Sequence, residues 1–258
     1  MTTRLTALLL SLVLAACTHA PASNHTSSAE AARWAAARQL VLVTTANWDA
    51  TSGELRRFER TTSGWKQVGD AAPISVGRAG SAWGIGLHDE RSDGPVKREG
   101  DGRAPAGVFG IGTAFGYAGS VATGLPYKGM GYNDWCIDVP ESPMYNQIVD
   151  RSVAKAPGLD KSSEPMRLDL HANGDQRYSR GFVIQHNAEA RPQAGSCIFA
   201  HLWGKPGQVT AGCTAMAPES MDALLQWLDE RHKPVFVLLP RAQYTALQQQ
   251  WNLPETTP

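Results

Sequence analysis

Along most of this chain apolar and polar positions alternate, or gather in short runs, and the pattern predicts strands more often than helices. Gln39–Thr45 is an apolar, β-branched run that reads as a strand. Residues 54–61 alternate as a half-exposed strand does. Ser63-Gly64 marks a turn, and residues 65–76 continue as a strand interrupted by Gly69 and Pro73. Residues 77–119 are rich in glycine and predict loop with one short strand at 108–111, and residues 134–148 are irregular and aromatic. Residues 181–186, 196–201 and 234–239 predict further strands. The clearest helix spans 218–231: Met221, Leu224, Leu225 and Leu228 fall at i, i+3, i+4 and i+7, with Pro218 in the first turn. A short helix over 241–251 follows. No repeat and no internal linker divides the chain, so residues 39–258 read as one mostly-β domain with a few peripheral helices.

The first residues follow a different pattern. Arg4 precedes an apolar run from Leu5 to Leu14, shorter than the roughly 20 residues that span a bilayer. This reads as a signal peptide. Leu14-Ala15-Ala16-Cys17 resembles the bacterial lipobox, which implies removal of residues 1–16 and lipidation of Cys17; an ordinary signal peptide cut near Ala22 is the other reading. Thr18, where inner-membrane retention would call for Asp, resembles an outer-membrane sorting signal. Residues 17–38 are then expected to be the acylated cysteine and a flexible tether, with the protein periplasmic and membrane-bound through its lipid.

Composition narrows the classes. Hydrophobic residues make up 42% of the chain and charged residues 19%, which excludes a wholly disordered protein. The formal net charge is +0, so no basic field favours nucleic acid as a partner. The 25 Gly and 16 Pro fit many turns, and four Cys are too few for a disulfide scaffold. In an oxidising compartment Cys136 and Cys197 are able to pair; two separate buried thiols is the alternative.

Candidate chemistry concentrates in residues 195–216. His201 ends an apolar run, and Cys213 follows twelve residues later in the small-residue turn Thr210-Ala211-Gly212-Cys213. A base beside a thiol lowers its effective pKa and yields a thiolate nucleophile. The amides of Ala211, Gly212 and Cys213 are placed to face a developing oxyanion. The plainer alternatives are a buried apolar cysteine, a core histidine, or a zinc set of Cys197, His201, Cys213 and His186, although the C-x3-H spacing is not a standard zinc pattern.

These residues resemble the L,D-transpeptidase (YkuD-type) catalytic domain family, with His201 and Thr210-Ala211-Gly212-Cys213 matching its active-site motif. The segments 77–80, 100–109 and 134–136 add support, and the likeness covers roughly residues 74–240. The resemblance implies a β-sandwich with the site at one end of the sheets. It implies Cys213 as nucleophile, His201 as base, the Leu202 carbonyl orienting the imidazole, and an oxyanion hole around residues 211–213. It implies peptidoglycan stem peptides as substrate, attacked after the third residue, with an amine resolving the thioester and no metal or organic cofactor. Ala211 stands where the common motif has a second His, and Ala215 where it has Arg, which leaves donor preference open. Thr210, His186 and Asn187 are candidate substrate contacts. A hydrolytic relative and a non-catalytic peptidoglycan-binding lipoprotein are the competing functions. Trp83, Trp135 and Trp203 are groove candidates or core.

Overall fold

The computed structural model describes residues 29–256. The expected signal peptide, Cys17 and the larger part of the expected tether lie outside the described residues. The end of that span forms a 3₁₀ turn, Ala31–Trp34, with Ala31 and Trp34 buried.

β1 (Gln39–Thr45), β2 (Ser52–Thr61) and β3 (Gly64–Ser75) make an antiparallel meander. β1 is buried along nearly its whole length, which is why it reads as an unbroken apolar run. In β2 the buried Leu55 and Phe58 are three positions apart. β2 keeps an unbroken register against β1, and the irregularity lies in β3, which advances from Ala72 to Val68 while β2 advances only from Leu55 to Arg57.

β4 (Ser81–Trp83) is followed by β5 (Ala104–Gly116), much longer than the short strand the glycines suggested, and by β6 (Tyr127–Gly129). The glycines of β5 serve close approach. A Cβ on Gly107, at φ +137°, would lie 1.9 Å from the His88 ring, and one on Gly110 would lie 2.1 Å from the Gln185 side chain. β7 (Asp134–Cys136), β8 (Ile148–Asp150) and β9 (Glu164–Pro165) form a separate small sheet in the order β8-β7-β9. A single helical turn, α1 (Leu168–His171), comes next.

The chain then supplies β10 (Arg180–Ile184), β11 (Phe199–Leu202), β12 (Thr214–Met216), α2 (Pro218–Trp227), β13 (Val235–Pro240) and α3 (Arg241–Leu247). α2 stops short of residue 231. Leu228 turns extended, and the chain bridges Asp229 to Gly124 before a 3₁₀ turn at Glu230–His232. α3 ends at Leu247, and Trp251 beyond it enters the core.

The mostly-β class follows from this inventory, and the pairing path is barrel-like. It runs β10-β11-β12-β3-β2-β1-β13-β5 and closes where β5 pairs with β10. β1–β13 and β11–β12 are its parallel pairs; the others in the ring are antiparallel. Leu40, Leu42, Phe109, Phe236 and Leu238 are fully buried inside, each stabilising the fold by about 1.5–3 kcal/mol relative to exposure. Trp251 packs edge-on against Trp34 and Trp83, at 5.6 and 6.4 Å between centroids, and its indole donates to Glu30 at 2.9 Å. Both ends of the described chain therefore meet in one cluster. Trp83 lies buried in that core.

Candidate functional site

The site forms where β11 and β12 lie side by side. His201 is opposite Ala215 in the parallel register, and Cys213 immediately precedes β12. Because side chains alternate along a strand, Cys213 shares the face of Ala215 and His201. Strand geometry puts their Cα atoms about 8 Å apart, within reach of an imidazole and a thiol turned toward each other. The alternation also explains the two cores of the molecule. Ile198, Ala200 and Leu202 belong to the main core, while Phe199 and Cys213 belong to a second cluster with Phe115, Met166 and Tyr178.

The imidazole is fixed by a main-chain group. His201 Nδ1 lies 2.6 Å from the Leu202 carbonyl oxygen. A carbonyl only accepts, so Nδ1 carries the proton and Nε2 is left with its lone pair. The Tyr178 ring packs edge-on against the imidazole at 5.0 Å. Burial lowers the His201 pKa to about 4, so the ring is neutral at physiological pH.

The thiol is in a state the sequence did not suggest. Sγ of Cys213 accepts from the Phe199 amide at 3.3 Å and lies 3.5 Å from the Cys197 carbonyl, which accepts from the thiol. Burial, reinforced by the charge of Glu164, pushes its pKa up to about 12. A nearby base would by itself favour thiolate, but desolvation outweighs it, and the resting pair is a neutral thiol beside a neutral imidazole.

The turn before the thiol is built around Thr210. Its hydroxyl donates to the Cys213 carbonyl at 2.7 Å and accepts from the Gly212 amide at 3.1 Å. Its own amide donates to Val76, and its carbonyl accepts from the Arg78 amide. Thr210 thus rivets the turn to residues 76–78. The Gly212 amide is turned to that hydroxyl and away from an oxyanion; among the described residues, the amides of Ala211 and Cys213 have no acceptor. Thr210→Val is expected to lower the free energy of unfolding by about 1–3 kcal/mol in urea titrations, because the Gly212 amide loses its buried partner.

A cavity of about 360 Å³ opens over these groups, lined by residues including His201, Ala211, Gly212, Cys213, Tyr178 and Glu164. Cys136 and Cys197 are joined in a disulfide, which ties the small sheet to the segment leading into β11. Cys197 adopts φ +55°, and its amide donates to Asn146 Oδ1 at 2.8 Å. Glu99, which also lines the cavity, accepts from Tyr145 and from the Ser196 hydroxyl.

His186 and Asn187 are buried away from the cavity with their polar atoms engaged. The His186 ring bonds the Ile85 amide and the Ala194 carbonyl; the Asn187 side chain ties together the turn from 187 to 195. Cys197 is consumed in the disulfide, so the four-residue zinc set is not assembled, and among the described residues no group of three His, Cys, Asp or Glu is placed to hold a metal. Sequence reasoning missed Glu164 and Tyr178. The Tyr178 hydroxyl donates to Glu164, whose carboxyl burial raises to about 7.

These shifts predict a pH dependence of stability. Burial lowers His186, like His201, to about 4 from 6.5. That contribution is complete above pH 6.5 and is lost as pH falls toward and through 4. Glu164 works in the opposite sense: raised from 4.5 to about 7, its contribution is complete below pH 4.5 and is lost as pH rises through 7. His88, which burial also lowers, adds to the same side, so three imidazoles stand against one carboxyl and the folded chain holds at least one proton fewer than the unfolded one. Urea unfolding is therefore expected to show stability falling by about 1.4 kcal/mol per pH unit or more from 6.5 down to 4.5, and a flat profile would contradict the burial of these rings.

No curated protein and no solved structure matches the chain. The sequence profile of the YkuD family, the L,D-transpeptidase catalytic domain, matches residues 60–237, a span that holds the whole constellation of His201, Cys213 and their supporting turn. The chain therefore belongs to the L,D-transpeptidase catalytic domain family, whose catalysis acts on peptidoglycan.

Proposed function

We propose that this protein is a cysteine acyltransferase that opens the peptidoglycan stem peptide after its third residue and passes the acyl group to an amine. The observation that carries the reading is the imidazole pinned through Nδ1 to the Leu202 carbonyl, with Nε2 free, on the same sheet face as the thiol of Cys213. As sulfur attacks the donor carbonyl, the thiol proton passes to Nε2 of His201. The oxyanion is received by the amides of Ala211 and Cys213. Collapse breaks the amide bond, and His201 returns its proton to the departing D-alanine nitrogen. A thioester on Cys213 remains, and an incoming amine replaces sulfur at the acyl carbon. Each half-reaction passes through one oxyanion and one imidazolium, and no metal or organic cofactor takes part.

The same proposal places the domain in the periplasm, held to the outer membrane by lipid on Cys17. The apolar run from Leu5 to Leu14, the Leu14–Cys17 sequence and Thr18 support it, and the Cys136–Cys197 disulfide suits an oxidising compartment.

Mass spectrometry of tetrapeptide muropeptides incubated with the protein tests the reading. Loss of D-alanine with formation of cross-linked dimers is the expected result. Tripeptide monomers alone would make it a hydrolase, and an unchanged substrate would overturn the proposed donor.

A further inference from the structure

The transfer half of the proposed reaction has a proton problem that His201 alone does not solve. At neutral pH an alkylamine acceptor arrives as an ammonium ion. It must lose one proton before nitrogen is nucleophilic and a second once the new C–N bond forms. His201 Nε2 handles the second, passing it to the departing sulfur. The first needs another base in contact with the incoming nitrogen.

One carboxyl in the cavity fits. Glu164 lines the cavity together with Cys213 and His201. It sits on β9, paired to Cys136 of β7, and Oε1 accepts from the Tyr178 hydroxyl, whose ring rests against His201. Among the described residues it makes no ion pair. Of the lining cations, Lys97 and Arg177 are already paired, with Asp101 and Asp175, and Arg78 makes no ion pair among the described residues. The charged and titratable groups that influence Glu164 are Tyr178 and Arg177 from the turn before β10, and Asp138 from beyond β7; across the cavity Glu164 in turn acts on the thiol of Cys213. Asp138 is itself engaged with Ser163.

We propose that Glu164 receives the ammonium group of the acceptor and takes its first proton, making it a further catalytic residue specific to transfer onto amines. The inference rests on the reading that a thioester on Cys213 is resolved by an amine. The carboxylate and the ammonium ion become carboxylic acid and free amine. The amine nitrogen attacks the thioester carbon, its second proton goes to Nε2 of His201, the C–S bond breaks, and sulfur takes that proton. Glu164 then releases its own proton to solvent, the one net proton of the exchange. Its titration near neutral pH suits both taking and releasing that proton.

The test compares two acceptors on the full-length protein and on Glu164→Gln, with a tetrapeptide muropeptide as donor. Diaminopimelate arrives as an ammonium, whereas hydroxylamine is already unprotonated at neutral pH. The Gln variant keeps an acceptor for the Tyr178 hydroxyl, and a thermal melt checks its fold. Transfer to diaminopimelate is expected to fall on the order of 10²-fold relative to transfer to hydroxylamine, and to recover as pH rises toward the amine's own pKa. An equal loss with both acceptors would mean a structural role and overturn the proposal, as would no loss with either. Failure of the wild type to release D-alanine at all would instead overturn the underlying thioester reading.

Discussion

Cys213→Ala is expected to abolish D-alanine release, by about 10⁴-fold or more, while leaving the fold intact. The two halves of this expectation have separate causes. Turnover is lost because no other group in the cavity supplies a nucleophile beside the free Nε2 of His201; the remaining cysteines of the described chain are joined in the disulfide. The fold survives because the thiol's hydrogen bonds are weak, accepting from the Phe199 amide at 3.3 Å and donating to the Cys197 carbonyl at 3.5 Å. Losing them costs about 1–3 kcal/mol, still a minor part of a domain's stability. Mass spectrometry of muropeptides beside a thermal melt checks both. A folded variant that still releases D-alanine would remove Cys213 from the chemistry. Loss of activity with loss of fold would call for Cys213→Ser, which keeps a side-chain acceptor for the Phe199 amide.

What the sequence made legible depended on whether the cause was local. β1 and β13 announce themselves as apolar runs, and His201 and Cys213 stand in a motif whose spacing follows from adjacent strand ends. The misreadings share a different origin. The glycines of β5 predict mostly loop because glycine is permissive, yet there they admit His88 and Gln185 against the backbone, which only tertiary contact reveals. From sequence, a neighbouring base should acidify the thiol. The base is present, but burial sets the sign, and burial comes from Phe199, Tyr178 and the small sheet together. Glu164 and Tyr178 left no signal. β9 is two residues long, and its pairing with Cys136 joins positions 28 residues apart. His186 and Asn187 end a strand, which leaves both substrate contact and a satisfied strand end open to the sequence; the chain folds back over them through residue 195 and satisfies their polar atoms.

Breaking the Cys136–Cys197 disulfide, by Cys136→Ser with Cys197→Ser, is expected to cost about 4 kcal/mol of stability by the loop-entropy argument for a separation of 61 residues. The functional effect should exceed what the melt alone predicts, because both ends of the bridge hold parts of the site. On one side, Cys197 is held at φ +55°, a conformation that costs a non-glycine residue about 1–3 kcal/mol and persists only when its surroundings fix it. Its carbonyl accepts from the thiol of Cys213, and its amide is bound to Asn146. On the other side, Cys136 pairs with Glu164, so the bridge sets where that carboxyl stands relative to His201. Without the bridge, Cys197 is free to relax toward extended backbone, the thiol loses a partner, and β9 is no longer held against the cavity. Turnover should therefore drop at temperatures where far-UV circular dichroism still reports a folded domain. Transfer to an ammonium acceptor should drop further than hydrolysis. Urea titrations and product ratios of the double variant check the two effects. Unchanged stability would show that the small sheet is anchored by its other contacts, and unchanged product ratios would show that Glu164 keeps its place without the bridge.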